Sequence, residues 1–278
     1  MIYFVTIILL ALAAIGAVAV TGAQFAWTIL AIYFVFFSLI TCYGVFVSKS
    51  SIILKTTYRL KTPKQVCLTF DDGPDEITTP CILDLLKENN IQATFFVIGR
   101  KVEAHPEIAR RIIQEGHTIG MHSYNHELWY TFYGQKKLQA DTERCRAVLK
   151  DICGIEPAYY RPPYGFKTPH MYFYFKTTPL QCVTWDVRGY DTVMKNVSRT
   201  IQRIMKKIRG GSIILLHDGT YSNRPNDPVK IHAILQALIQ QLKDQGYSYT
   251  SISSYQHPKV YSAMPAATEA FRELMRPD

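Results

Sequence analysis

The stretch QVCLTFDDGP, residues 65–74, decides how the rest of the chain is read. Its first six residues form a near-continuous apolar run, the pattern of a strand buried on both faces. Two aspartates, Asp71 and Asp72, follow at once, and Gly-Pro then breaks the strand. Adjacent carboxylates repel, so each needs a cationic partner. Strands buried on both faces belong to parallel sheets covered by helices, and such folds place their sites at the carboxyl ends of the strands. The stretch therefore predicts an α/β fold with a site at the end of this strand.

Outward from it, strand-like and helix-like segments alternate. TTPCILDLLKENN (78–90) reads as a helix with Pro80 in its first turn and Asn89–Asn90 at its end; ATFFVIG (93–99) reads as a strand. HPEIARRIIQEG (105–116) is a helix closed by Gly116, TIGM (118–121) a strand, and KKLQADTERCRAVLKDICG (136–154) a helix closed by Gly154. AYYRPP (158–163), QCVTWDV (181–187), SIILL (212–216) and YSYTSIS (247–253) are further strands. Amphipathic helices over 196–211 and 230–246 separate the last three. Six or seven such units in about 210 residues suggest a barrel slightly smaller than the eight-fold form.

The polar residues at the predicted strand ends converge in type. Asp71 and Asp72 follow VCLTF, His122 follows TIGM with His126 four residues on, Arg161 ends AYYR, Asp186 and Asp191 follow QCVTW, and His217 and Asp218 follow SIILL. Histidines at i and i+4 on a helical turn share one face, and with a carboxylate they suit a divalent metal; a surface histidine pair is the alternative. His105, His117, His170, His232 and His257 lack such company and read as surface or structural residues.

Four of these stretches, TFDDGP (69–74), HSYNH (122–126), RPPYG (161–165) and LLHDG (215–219), occur in order and resemble the first, second, third and fifth motifs of the polysaccharide deacetylases, the family-four carbohydrate esterases. The resemblance covers about residues 65–253. It implies a distorted (β/α)7-type barrel that removes acetyl groups from amino sugars with one divalent metal, zinc first and cobalt, nickel, manganese or iron(II) as alternatives. Carried over by position, it makes Asp72, His122 and His126 the metal ligands, Asp71 the general base and Arg161 its orienting partner. Tyr164 is implied as an oxyanion donor through its backbone N–H, Leu215 as a wall for the acetyl methyl with Pro163 also on the substrate side, and His217 as the general acid. The fourth motif departs from the family: Asp191 is followed by Thr192, not tryptophan. Asp191 is the candidate to tether His217, and Asp186 the fallback. O-deacetylation, deformylation of a lipid-linked sugar, and an inactive glycan-binding barrel are the alternative functions.

The N-terminus differs in kind. Of a net charge of +9, none is carried by residues 1–48, which hold no Lys, Arg, Asp or Glu. Two bilayer-length apolar runs, 2–20 and 25–47, predict a transmembrane helical hairpin turning at 21–24. Cleavage of a signal peptide near residue 23 is the alternative, though the basic n-region is absent. The expected organisation is two transmembrane helices at 1–48, a basic linker at 49–63, the catalytic domain at 64–256 and a tail at 257–278. This predicts a multi-pass cell-membrane protein whose partners are the bilayer and an N-acetylated glycan.

The side on which the domain lies is open. Lys49, Lys55, Arg59, Lys61 and Lys64 favour the cytoplasm by the positive-inside rule, as do scattered cysteines without a disulfide framework, whereas the family resemblance favours the outside. No nucleic-acid motif accompanies the positive charge. The aromatic stretches 127–134 and 170–175 fit sugar stacking, membrane contact or packing alike.

Overall fold

The computed structural model describes residues 23–194, 196–220 and 227–253, with scattered residues between 7 and 19. The chain enters through helix α1 (Ala23–Phe46) and a two-residue strand β1 (Thr56–Thr57). There follow β2 (Gln65–Asp71), α2 (Thr78–Glu88), β3 (Thr94–Val97), α3 (Gly99–Ala104), α4 (Pro106–Gln114), β4 (Thr118–Met121), α5 (Gln135–Cys153) and β5 (Tyr159–Tyr160). The remainder is α6 (Pro169–Lys176), β6 (Gln181–Val183), β7 (Val187–Arg188), α7 (Val197–Met205), β8 (Ile213–His217), α8 (Pro228–Asp244) and β9 (Ser248–Tyr249).

All of these strands pair in parallel, in the order β1-β6-β5-β4-β3-β2-β8-β7, with β9 added to the start of β2. The expected single strand at 181–187 is broken between β6 and β7. Its first half pairs with β5 and its second half with β8, so this one segment joins the two ends of the sheet and curls it into a barrel. The break falls at Thr184–Asp186, where Asp186 turns its carboxylate to the β8 backbone, accepting from the Ile213 N–H at 2.9 Å, and to Ser212 Oγ at 3.1 Å. The α/β barrel read from the sequence is thus present, and its distortion lies here.

Alternate residues along each strand serve two cores. Val66, Leu68, Phe70, Phe95, Val97, Ile119, Met121, Ile214 and Leu216 pack outward against the helices. Cys67, Phe96, Tyr159, Val183, Trp185, Ile213 and Leu215 fill the barrel. Gly120 belongs to the inner set: a Cβ there would lie 2.6 Å from the Phe96 ring, so its missing side chain makes room for that phenylalanine.

The segment expected as a linker, 49–63, is packed on the barrel. β1 pairs with β6, Ile53, Leu54 and Leu60 are buried, and the Leu60 N–H bonds to the Gly211 carbonyl at 2.8 Å. Helices α3 and α6 were not expected; α6 takes up the aromatic run 170–175 and buries Met171, Tyr174 and Phe175.

Among the described residues one helix is long and apolar enough to cross a membrane, Trp27–Phe46 within α1, with mean hydropathy 2.2. Among the described residues this one helix stands where a hairpin was expected. Only scattered residues of the first span, 2–20, are described; residues 21 and 22 of the expected turn and the tail 257–278 lie outside the described residues.

Candidate active site

The inward register carries the site. Continuing each inner column to its strand end leads from Cys67 and Thr69 to Asp71, from Gly120 to His122, from Tyr159 to Arg161, and from Ile213 and Leu215 to His217. Adjacent strands hold them level: Asp71 is in register with both Phe96 and His217. The alternation that fills the barrel therefore delivers the polar residues to one rim.

Arg161 is fully buried, and its donors are all directed inward. Nη1 donates to Asp71 Oδ1 at 2.6 Å and to Thr69 Oγ1 at 2.8 Å, Nη2 to the Thr184 carbonyl at 3.0 Å and Nε to the Val183 carbonyl at 3.4 Å. Its guanidinium lies 4.0 Å from the Phe96 ring centroid. Burial pushes the Asp71 carboxyl above its usual range, and Arg161 is the largest influence opposing that rise.

Asp72 turns the other way. At φ 71° its backbone is left-handed, and its carboxylate Oδ1 lies 3.3 Å from His126 Nε2 and 3.5 Å from His122 Nε2. Lys101 Nζ donates to the Asp72 carbonyl at 2.6 Å and holds this conformation from outside. The reversal after Asp72 requires a close approach of two motifs: a Cβ on Gly73 would lie 2.0 Å from Asp218 Oδ2.

Asp72, His122 and His126 offer three ligand atoms within 4.8 Å of one another, all buried. Asp72 Oδ1 accepts no hydrogen bond, an expensive state for a buried carboxylate oxygen. Burial pushes Asp72 up to about 7, and pushes His122 and His126 down to about 3 and about 2, so both imidazoles are neutral and carry a lone pair. His122 Nδ1 is 2.6 Å from the Arg161 carbonyl, which fixes the proton there and leaves Nε2 toward Asp72. An orphaned carboxylate oxygen beside two neutral imidazoles fits a divalent cation.

The two histidines do not share a helical turn, as their spacing predicted. Residues 122–126 form a loop with Ser123 at φ 66° and His126 at φ 54°. Side chains hold it: Ser123 Oγ accepts the His126 N–H at 2.9 Å, and Asp141, from α5, accepts the N–H groups of Tyr124 at 2.8 Å and Asn125 at 3.2 Å. Two histidines meet because the loop folds back, with left-handed residues at a cost of about 1–2 kcal/mol each.

On the opposite neighbour of β2, His217 Nδ1 lies 3.0 Å from Asp191 Oδ1, and the His217 N–H donates to Asp191 Oδ2 at 2.9 Å. Burial opposes charge on His217, but Asp191, with Asp72 and Asp71, raises it to about 9. Asp186 has no part in this contact, since its carboxylate serves Ser212 and Ile213. Leu215 lies buried among the inner residues with Trp185, and Pro163 and Tyr164 form a single 3-10 turn. Tyr164, at φ 60°, places its ring 5.0 Å from that of His126. Sequence reasoning missed Thr69, Lys101, Asp141 and Thr184. Each acts through a backbone group or the Arg161 fork, and no motif marks them.

The chain is similar to known proteins over the region that builds this rim. The polysaccharide deacetylase family model matches residues 59–183. A peptidoglycan-N-acetylglucosamine deacetylase of Bacillus cereus is 34% identical over 70% of this chain and 90% of its own length. The peptidoglycan-N-acetylmuramic acid deacetylase PdaC of Bacillus subtilis is 33% identical over 70% of this chain, which spans 39% of that longer protein. The crystal structure of a peptidoglycan N-acetylglucosamine deacetylase in complex with a naphthalenyl N-oxidanylbenzamide superposes with a TM-score of 0.66 at 30% identity, covering 72% of this chain and 92% of that one. With its four motifs gathered on one barrel rim and a 34% identical relative matched over 90% of that relative's length, the chain belongs to the polysaccharide deacetylase family and is a hydrolase of N-acetyl amide bonds.

Proposed function

We propose that the protein is a membrane-anchored N-deacetylase of peptidoglycan amino sugars that works with a divalent metal, zinc first. The observation that carries this reading is the division of labour on the rim: a ligand triad on Asp72, a carboxylate held by a buried arginine at Asp71, and a carboxylate-tethered imidazole at His217. Side chains suited to ligand, base and acid roles stand together on this rim, which disfavours the inactive-barrel alternative.

Asp72, His122 and His126 would hold the ion, which when bound activates water and polarises the amide carbonyl. Asp71, kept in place by Arg161, takes the proton of the attacking water. The Tyr164 backbone N–H stabilises the developing oxyanion, while Leu215 and Pro163 bound the space for the acetyl methyl. His217 gives a proton to the leaving amine, with Asp191 fixing its Nδ1–H and supporting the imidazolium. The net result is acetate and a free amino sugar.

Helix α1, at about 36 Å for 24 residues, exceeds the hydrocarbon core of a bilayer by a few ångströms. The relatives act on peptidoglycan, which favours the outer face of the membrane over the inner face suggested by the basic residues after α1. Acetate release from N-acetylglucosamine oligomers by the detergent-solubilised full chain, abolished by a chelator and restored by zinc, tests the chemistry; undiminished turnover after exhaustive metal removal refutes it. Formate as the product would select the deformylase alternative. A C-terminal reporter fusion decides the side.

A further inference from the structure

Lys167 follows the RPPYG motif by two residues and has no part in the chemistry above. It is fully buried, an uncommon state for a lysine. Its Nζ donates to the carbonyls of Val47 at 2.8 Å and Ser48 at 2.9 Å, and its backbone N–H donates to the Val45 carbonyl at 3.2 Å. These acceptors lie at the end of α1. The last carbonyls of a helix have no partner within it, and the negative end of the helix dipole favours a cation. Burial lowers the Lys167 ammonium to about 8, which leaves it charged at neutral pH.

A second connection leaves the same point. Thr184 Oγ1 donates to the Ser48 carbonyl at 2.8 Å, the Thr184 carbonyl accepts from Arg161 Nη2 at 3.0 Å, and Arg161 Nη1 reaches Asp71 at 2.6 Å. A third runs through rings: Phe46 against Phe166 at 4.9 Å, Phe166 against Tyr164 at 5.7 Å, and Tyr164 against His126 at 5.0 Å. The end of α1 therefore touches the supports of the arginine, the Tyr164 turn and the histidine loop.

We propose that Lys167 is a positioning residue that locks the end of α1 into the catalytic centre, so that the anchor is a built part of the site. The proposal rests on the deacetylase reading and deepens it. One consequence concerns α1 itself: removal of residues 45–48 would leave a buried ammonium without the acceptors it has here, so the mature fold keeps the end of this helix. Another is that cleft and bilayer keep one fixed relation, which selects glycan presented at the membrane surface.

The test uses the full chain in detergent micelles, with Lys167→Met, Thr184→Val and the double variant. Lys167→Met is expected to lower kcat about tenfold while KM and bound zinc per chain stay at the wild-type values. Because Lys167 and Thr184 share the Ser48 carbonyl, the double variant should lose little more than the worse single variant. Hydrogen exchange, read without substrate, should quicken in residues 161–168 of Lys167→Met. Wild-type kcat in Lys167→Met, or losses that multiply in the double variant, overturn the proposal. If the wild-type chain holds zinc yet releases no acetate, the deacetylase reading fails; faster exchange at 161–168 would then still support the lock, and unchanged exchange would overturn it.

Discussion

Asp71 and Asp72 are neighbours in the chain and opposites in surroundings. Asp71 faces a buried guanidinium at 2.6 Å; Asp72 faces two neutral imidazoles and accepts no hydrogen bond at Oδ1. Asp72→Asn removes the anionic ligand, so zinc content and acetate release should fall together. Asp71→Asn keeps the triad, so zinc should remain while kcat falls by about 10²–10⁴. Metal analysis of the two purified variants checks this, and equal zinc contents would refute the division. His217 gives a second test. An acid catalyst must be protonated, so activity persists past its ordinary value of 6.5 and falls as pH rises through the elevated one, about 9. Asp191→Asn removes the largest influence raising it and leaves burial unopposed by that carboxylate. The alkaline limb of the kcat profile should therefore move down; an unmoved limb would exclude His217 as the acid.

At the scale of elements, the loop after β4 does the work that a helical turn was expected to do. Asp141 lies 15 or more positions from the amides of Tyr124 and Asn125 that it binds, and belongs to a different element. Asp141→Ala should release both amides, let His126 swing, and weaken zinc affinity about tenfold or more, by analogy with other residues that support ligands from behind. Competition with a chromophoric chelator measures this, and wild-type affinity would show that the loop holds itself. This element also shows what the sequence made legible. The strands at 65–71, 94–97 and 118–121 and the long helices follow from apolar periodicity and from Gly116 and Gly154, both at positive φ. The rim residues follow because strand ends collect function. What escaped has a physical reason in each case. β1 has two residues, too few for any period; β6 and β7 read as one run because a mid-strand break has no composition; and Asp141, Lys101 and Thr184 act on backbone groups, which leave no pattern in the side-chain sequence.

For the whole molecule, acid stability turns on histidines that the barrel keeps neutral. His117, which lacked a functional setting in the sequence, is buried between α4 and β4; Nδ1 accepts the Ala93 N–H at 3.1 Å, and the ring stands edge-on to Phe95 at 5.4 Å. Its Nε2, which carries the ring proton, has no hydrogen-bond partner, and a second proton would have to enter at Nδ1, where it would displace the Ala93 N–H. Burial lowers it to about 4 from an ordinary 6.5. The folded state thus binds fewer protons than the unfolded chain between those values, and stability present above pH 6.5 is lost as pH falls toward 4. A shift of this size corresponds to on the order of 3 kcal/mol. His122 and His126 move in the same direction, but a bound cation competes with their protons, so zinc-loaded protein isolates the His117 contribution. Asn at 117 offers an oxygen to the Ala93 amide and does not titrate. Between pH 7 and pH 4.5 the zinc-loaded His117→Asn chain should therefore lose less stability than the wild type by about 2–3 kcal/mol, read from thermal unfolding in one detergent at both pH values. Equal losses in the two proteins would place the acid sensitivity elsewhere than His117.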